Sequence, residues 1–257
     1  MAFDQLRLLM PFYFLALSLV FLPKAIGKLI ITFQLGKLLR WSSLQDAWFG
    51  TLWAYLGPNV KQNAAPKVEP LVRQATGVVL DIGPGSGQWL DLYSPRQNQN
   101  ITKIYGIEPN LERHPALLQA IKREGLDDIY EVIGAGVEDL QKVGLQPDSV
   151  DTVVTVQVLC SVPDPQRVIT ELYNLLKPGG QWIVYEHIKT PYTYEIIATW
   201  QRIIDIAWPI CYGGCSITRP TDEYMASAGT WTSFDLRPND DETKYDAVPH
   251  AKGILIK

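Results

Sequence analysis

A glycine-rich turn directly after an apolar run is the feature that most restricts the fold of this chain. The segment from Thr76 to Tyr93 reads TGVVLDIGPGSGQWLDLY, which we interpret as strand, loop and helix. Its glycines are Gly83, Gly85 and Gly87. A backbone without side chains can approach a ligand closely at the N-terminus of a helix. The stretch therefore predicts an α/β fold with a ligand-binding loop at the end of a strand.

The glycine spacing disfavours a dinucleotide site. The G-x-G-x-x-G fingerprint requires a third glycine at position 88, which is Gln88, and this counts against a nicotinamide-dependent oxidoreductase. The loop instead resembles the D/E-x-G-x-G-x-G loop of class I methyltransferases. That resemblance implies S-adenosylmethionine as cofactor, with Asp81 at its amino acid group. The loop residues implied to bind it are Gly83, Gly85, Ser86 and Gly87.

Two further segments extend the predicted cofactor site. The run ITKIYGIEPN is a strand ending at Glu108, 21 residues after Gly87, where a carboxylate can accept both ribose hydroxyl protons. Pro109 follows it. The segment Ile129–Leu140 is predicted as a strand and a turn, and the class resemblance implies adenine contacts from Val137 and Glu138. An acidic residue here has the alternative role of capping the next helix.

The middle of the chain predicts the rest of the sheet. A buried strand at Val150–Leu159 and another at Gln181–Ile188 flank a helix with apolar residues at helical spacing. LKPGG before the second strand is a recurrent signature of this methyltransferase class. We expect a Rossmann-like, seven-stranded mixed sheet that ends in an antiparallel hairpin from about Thr230–Leu236 and Ala251–Lys257.

The N-terminal segment is apolar and basic. Residues 8–23 carry no charge, but 16 helical residues reach only about 24 Å, against about 30 Å of bilayer hydrocarbon. We expect an uncleaved anchor, followed by an amphipathic interfacial helix from Ala25 to Trp41; a buried helical cap is the alternative. Residues 1–40 have a net charge of +4 and the remainder −8. A basic end suits anionic lipid, and an acidic body argues against nucleic acid as a partner.

Several motifs together resemble the methyltransferase-like 7 family, the thiol methyltransferases of endoplasmic reticulum and lipid droplets. They are VLCSVPDPQRVITELYNLLKPGG, YEHI, GGCSITR and VPHAKG, and the likeness spans about residues 76–257. The resemblance implies a membrane-associated enzyme on the cytosolic face that methylates a small thiol. The family's Gly-Cys-Gly-Thr-Gly loop is Gly-Pro-Gly-Ser-Gly here, and its doubled cysteine is Cys215-Ser216. O- or C-methylation stays open.

Methyl transfer to a thiol requires alignment and loss of a proton. His187, at the end of a strand, is the predicted base, with a structural hydrogen-bonding role as the alternative. We assign Gln157 to the cofactor site. The predicted acceptor contacts are Cys160, Trp208 and His250.

We expect a membrane anchor at residues 1–41, a helical connector at 42–75 and the methyltransferase domain at 76–257. The expected partners are a small hydrophobic acceptor and a lipid surface. The three cysteines are an odd number without the paired spacing of a zinc site or a disulfide framework, so they predict neither and fit a reducing compartment. The remaining alternative is a methyltransferase-fold cyclase or binding protein that transfers no methyl group.

Overall fold

The chain forms two compact units in the computed structural model, which describes residues 6–137, 139–140, 144–193 and 195–257. The helical unit comprises the residues up to Val60, together with Ile188–Arg219 and Asp240–Pro249. The sheet unit comprises Lys61–His187, Pro220–Asn239 and His250–Lys257. Each unit is therefore assembled from segments that are distant in sequence.

The sheet unit contains a seven-stranded mixed sheet within its described residues. The strand order is β3-β2-β1-β4-β5-β7-β6. The strands are β1 (Gly77–Ile82), β2 (Ile101–Ile107), β3 (Tyr130–Ile133), β4 (Val150–Val156), β5 (Leu176–His187), β6 (Ser233–Pro238) and β7 (His250–Ile256). Strands β1 to β5 pair in parallel, whereas β7 is antiparallel to both β5 and β6. The predicted mixed sheet and terminal hairpin are confirmed.

Helical residues of the sheet unit pack on both faces of its sheet. The α-helices among the described residues are α1 (Met10–Ile31), α2 (Trp41–Val72), α3 (His114–Glu124), α4 (Pro165–Leu175), α5 (Ile196–Asp205), α6 (Trp208–Cys211) and α7 (Thr221–Ala226). Successive strand residues point to opposite faces. Val79 accordingly packs in a cluster with Val68 and Leu117 of α2 and α3, and Leu80 in a second cluster with Leu172 of α4.

The glycine loop does not lead into an α-helix, so this part of the prediction is wrong. A single 3-10 turn, Leu90–Tyr93, follows it. Ser94 precedes Pro95 and has an extended backbone, with ψ of 135°. A residue before proline is sterically kept out of the helical region, which ends the turn at once.

The strand predicted at Gln181–Ile188 begins earlier than expected, within the LKPGG motif. Helix α4 ends at Leu175, and the paired strand β5 begins at Leu176, before the glycines. The pairing with β4 shifts register between Val150 and Thr152, opposite Leu176 and Gln181. Pro178-Gly179-Gly180 therefore forms an irregularity inside the strand, and Gly179 adopts a φ of 77° there.

In the helical unit, α1 is one continuous helix that passes through Pro23 to Ile31. The predicted separate amphipathic helix from Ala25 to Trp41 is wrong. Ile30, Ile31 and Thr32 are β-branched and unfavourable in a helix, and the Thr32 hydroxyl donates to the carbonyl of Lys28 at 2.8 Å. A 3-10 turn at Leu35–Leu39 then leads to α2.

Helix α1 packs along one side on other parts of the helical unit. Three side chains donate hydrogen bonds to its backbone or to the turn before it: Trp200 to the Leu8 carbonyl (3.0 Å), Tyr212 to Phe14 (2.9 Å) and Trp48 to Ser18 (2.8 Å). The segment Arg7–Ile31 is long and apolar enough to cross a membrane by length and composition.

Candidate active site

The glycine loop after β1 holds three glycines at positive φ. Gly83, Gly85 and Gly87 have φ values of 64°, 62° and 82°. A Cβ on Gly83 would lie 2.5 Å from a Val158 methyl carbon, and one on Gly87 would lie 2.7 Å from the Ala120 Cβ. A Cβ on Gly85 would meet nothing within 4 Å. Two glycines therefore allow close packing, and the third faces open space that a ligand can fill.

Glu108 follows β2 and lies against this loop, as the sequence predicts for a ribose-binding carboxylate. The residue is only 2% exposed, and its carboxylate accepts the amide protons of Gly85 (3.0 Å) and Asn110 (2.9 Å). The Arg113 guanidinium lies 3.7 Å away. A carboxylate has about four lone-pair directions, so Glu108 retains capacity for two further donors.

Asp81 is buried at the carboxyl end of β1. Tyr130 of β3 donates a hydrogen bond of 2.9 Å to it. Burial raises the pKa of Asp81 to about 6, and the charge of Glu108 adds to this rise, whereas the Tyr130 and Tyr93 hydroxyls oppose it. The uncompensated negative charge suits a cationic ligand, which would lower this pKa.

The other predicted cofactor contacts differ in exposure. Ser86, within the glycine loop, is exposed, and so is Pro109, which follows Glu108. Val137 is buried in the core cluster that contains Ile107, so its backbone rather than its side chain is the available contact. Glu138 lies outside the described residues, and its predicted role stays a prediction.

A second cluster forms at the carboxyl ends of β4 and β5. Gln157 adopts a left-handed φ of 55°, its amide N–H donates to the Tyr185 carbonyl at 2.7 Å, and its side-chain nitrogen lies 3.1 Å from Nε2 of His250. The ring centroids of His187 and His250 are 4.5 Å apart. The structure thus brings together a predicted cofactor residue, the predicted base and a predicted acceptor contact.

Cys160 belongs to the same cluster. It is 2% exposed, and its sulfur lies within 4.8 Å of a ring nitrogen of His187. The three cysteines, Cys160, Cys211 and Cys215, are all buried.

Glu186 is a site residue that the sequence reasoning missed. It is fully buried, and its carboxylate accepts the backbone amides of Val158 (3.0 Å) and Leu159 (3.1 Å). Burial raises the pKa of Glu186 to about 8, with Cys160 adding to the rise and the two amides and His187 opposing it. An acidic residue within the apolar strand run WIVYEH was the available signal, because a buried carboxylate needs a specific partner.

Trp208, a predicted acceptor contact, does not belong to the sheet unit. Trp208 belongs to the helical unit, is 5% exposed and stacks on Tyr212 with ring centroids 4.3 Å apart. Its indole N–H is buried without a hydrogen-bond partner among the described residues, so an acceptor contact stays a prediction. His114 lies near the other end of the site: it is half-buried, and its ring nitrogen lies 2.8 Å from the Glu108 carbonyl.

Known proteins with similar sequences and structures are methyltransferases or share their fold. A family model described as a methyltransferase domain matches residues 54–207, more than half of the chain. The thiol S-methyltransferase TMT1B of Homo sapiens is 26% identical over 226 residues, which cover 84% of this chain and 89% of that protein. TMT1A of Homo sapiens is 27% identical over 181 residues, 70% of each chain.

Among solved structures, the cyclase SpnF matches with a TM-score of 0.53 and 24% identity. The match covers 72% of this chain and 64% of that chain, less than two thirds of its length. At this identity the likeness shows the fold alone.

The residues present fit S-adenosylmethionine, the cofactor expected for this family. Buried carboxylates of Asp81 and Glu108 flank the open space at Gly85. The cofactor carries a sulfonium, an ammonium group and two ribose hydroxyl donors, which match acidic acceptors. The chain belongs to the methyltransferase domain family and is an S-adenosylmethionine-dependent methyltransferase.

Proposed function

We propose that this enzyme methylates the sulfur of a small hydrophobic thiol. The observation that carries the proposal is the position of His187, at the carboxyl end of β5 and within 4.8 Å of the Cys160 sulfur. A site that already places a sulfur beside an imidazole offers the surroundings that a thiol acceptor needs. The names of the similar proteins TMT1A and TMT1B support the same acceptor class.

We propose that the cofactor is held by the loop and the two carboxylates. Glu108 would accept the ribose hydroxyls, and Asp81 would accept the amino acid group directly or through water. The further proposed contacts are Gly83, Gly85, Ser86, Gly87, Pro109, Val137 and Gln157. When bound, S-adenosylmethionine supplies an activated methyl group, so no strong acid is required of the protein.

The proposed task of His187 is to take the acceptor's proton. A thiol has a reference pKa near 8.5 and the imidazolium form of histidine one near 6.5. Proton transfer from the thiol to the neutral ring therefore becomes favourable as the sulfur forms its new bond. The thiol S–H bond breaks, and the proton is bound by a ring nitrogen of His187. His187→Ala should lower turnover by roughly 10²–10⁴-fold at neutral pH.

Product analysis tests this proposal. The purified enzyme is incubated with S-adenosylmethionine and, separately, a hydrophobic thiol, phenol and amine. We expect the thiol product to gain one methylene unit, with S-adenosylhomocysteine formed in equal amount. Methylation of the phenol or amine alone overturns the thiol assignment. Cofactor binding without S-adenosylhomocysteine formation in any arm overturns methyl transfer itself.

We also propose that the helical unit binds the cytosolic face of a membrane, namely the surface of the endoplasmic reticulum or of a lipid droplet. Large apolar side chains on α1 and the following turn are exposed, notably Ile31, Phe33 and Leu39. Lys37 and Arg40 lie next to them in sequence, which suits anionic headgroups. The hydrogen bonds that hold α1 within the helical unit favour a helix lying in the interface over one crossing the bilayer.

The predicted domain organisation is retained as a proposal. Residues 1–41 act as the membrane anchor, 42–75 as a helical connector that α2 covers up to Val72, and 76–257 as the catalytic domain.

A further inference from the structure

His187 and His250 form a direct cross-strand pair at one end of the antiparallel β5–β7 ladder. They are register partners, and their ring centroids are 4.5 Å apart with an interplanar angle of 57°. Both side chains are only half-buried, so protons can exchange with solvent. Two imidazoles at this separation influence each other's protonation, because charging both places like charges side by side.

The His250 ring is fixed from two other directions. It stacks on Tyr185 with centroids 4.9 Å apart and an interplanar angle of 20°. The Gln157 side-chain nitrogen lies 3.1 Å from its Nε2. Since an amide nitrogen only donates, this nitrogen of His250 accepts, and its neutral ring carries the proton on Nδ1.

Gln157 is itself held rigidly. It has a left-handed backbone, and its N–H donates to the carbonyl of Tyr185, the residue on which His250 stacks. Gln157 therefore contacts the His250 ring through its side chain, and through its N–H it contacts the backbone of the tyrosine on which that ring stacks. This arrangement orients the His250 ring beside His187.

We infer that His250 is a positioning residue for His187, and that the two imidazoles act as one coupled base which takes up a single proton in each turnover. The inference rests on the proposed role of His187. When the thiol S–H bond breaks, the proton binds to His187, and the neutral His250 beside it stabilises the resulting imidazolium. The proton then leaves to water.

Other ionisable groups face this pair within the sheet unit. Cys160 and Glu186 lie next to His187, Tyr185 carries the His250 ring, and Lys252 follows two residues along the same face of β7. Each can shift the midpoint of the titration. Removing the His250 imidazole separates the coupling between the two rings from these other effects.

Nuclear magnetic resonance of the histidine rings tests the coupling without any activity assay. The chain has three histidines, and His114 serves as the internal control. In the wild-type protein we expect His187 and His250 to titrate in two linked steps. Independent single-step titrations of the two rings would overturn the inference. His250→Phe keeps an aromatic ring on Tyr185 and should move the titration of His187, while His114 is unaffected.

A double-mutant cycle provides the kinetic test with the thiol substrate. We expect His250→Phe to lower kcat at pH 7 about tenfold, with little change in the KM for S-adenosylmethionine, and the defect to shrink toward pH 9 as the thiol ionises unaided. His187→Ala combined with His250→Phe should be no worse than His187→Ala alone. Multiplying defects would show independent roles and overturn the pair.

Failure of the proposed function is distinguishable from failure of this inference. If no thiol is methylated, the ring titrations still show whether the pair is coupled. If His250→Phe does not fold, Gln157→Leu removes the amide donor to His250 together with a proposed cofactor contact, so its readout is the His250 tautomer in the cofactor-free protein, which we expect to change along with a smaller loss of kcat. An unchanged tautomer and kcat in Gln157→Leu contradicts the proposed orientation.

Discussion

Tyr130 donates a hydrogen bond of 2.9 Å to Asp81, although β2 lies between their two strands. The tyrosine side chain crosses β2 at Gly106, where an added Cβ would collide with the phenol ring. A glycine in the middle of a strand is unfavourable by itself, and here it makes room for a buried contact. The Asp81 carboxylate, next to the glycine loop, is thus held by a side chain from β3, two strands away in the sheet.

Asp81→Asn should stabilise the cofactor-free enzyme and abolish tight cofactor binding. The pKa of Asp81 is raised from 3.8 to about 6, so the ionised form is unfavourable in the folded state. A raised carboxyl pKa means that this group makes the folded state progressively less stable as pH rises from about 4 through 6. At one pKa unit per 1.36 kcal/mol, the neutral amide gains up to about 3 kcal/mol at pH 7.5.

Urea denaturation and calorimetric titration measure both effects of this substitution. Asp127→Asn, on an exposed carboxylate between α3 and β3, is the matched control and should change neither. A less stable Asp81→Asn protein that still binds S-adenosylmethionine normally contradicts the assignment of this carboxylate to the cofactor.

Gly85→Ala and Gly125→Ala separate backbone strain from loss of ligand space. Both glycines have positive φ, 62° and 69°, and neither would bring a Cβ within 4 Å of other atoms. Each substitution should therefore cost about 1 kcal/mol of stability through strain. Only the methyl group on Gly85 projects into the proposed cofactor space, so we expect its affinity for S-adenosylmethionine to fall at least tenfold.

Thermal unfolding and cofactor titration of the two glycine variants provide the comparison. Equal affinity in Gly85→Ala and Gly125→Ala would place the cofactor away from this loop.

Glu186→Gln tests whether the carboxylate at the end of β5 carries a proton at neutral pH. Because its pKa is raised from 4.5 to about 8, its contribution to folding is complete below about pH 4.5 and is lost as pH rises toward 8. The glutamine variant lacks this ionisation. The unfolding free energy of the wild type should therefore fall relative to that of Glu186→Gln across this range, as measured by urea denaturation at fixed pH values. Parallel curves for the two proteins would show that Glu186 does not titrate there.

The sequence was sufficient to predict the sheet and the position of the glycine loop, because short-range patterns determine them. The positions of the three glycines and of Glu108 follow from strand ends and spacing, whereas the role of Asp81 is implied by the resemblance, and the cofactor contacts of all these residues stay proposals. Glu186 and Tyr130 could not be predicted in the same way. Their roles depend on contacts between segments that are distant in sequence, such as the bonds from Val158 and Leu159 to Glu186.

The errors concern helices, where local preference was judged without its surroundings. The local pattern separates an amphipathic helix from Ala25 to Trp41 from the apolar run that ends at Pro23, and a proline inside a helix removes a hydrogen bond. Helix α1 continues past it, with Ala25 and Leu29 buried. Burial of these side chains over the last turns offsets the local cost, and no pattern within the segment contains that information.

Introducing charge at the exposed apolar turn after α1 should weaken membrane binding. Phe33 and Leu39 are 89% and 88% exposed, so replacing both with glutamate leaves the interior of the helical unit untouched. A large apolar side chain gains roughly 1.5–3 kcal/mol on leaving water, and an added negative charge is repelled by anionic lipid. We expect the fraction of enzyme that sediments with vesicles of phosphatidylcholine and phosphatidylserine to fall at least tenfold. Leu118→Glu makes the same kind of change at an exposed leucine of the sheet unit and should leave binding unchanged. Equal sedimentation of both variants with the wild type would remove this turn from the membrane contact, whereas equal loss in both would indicate that net charge alone governs binding.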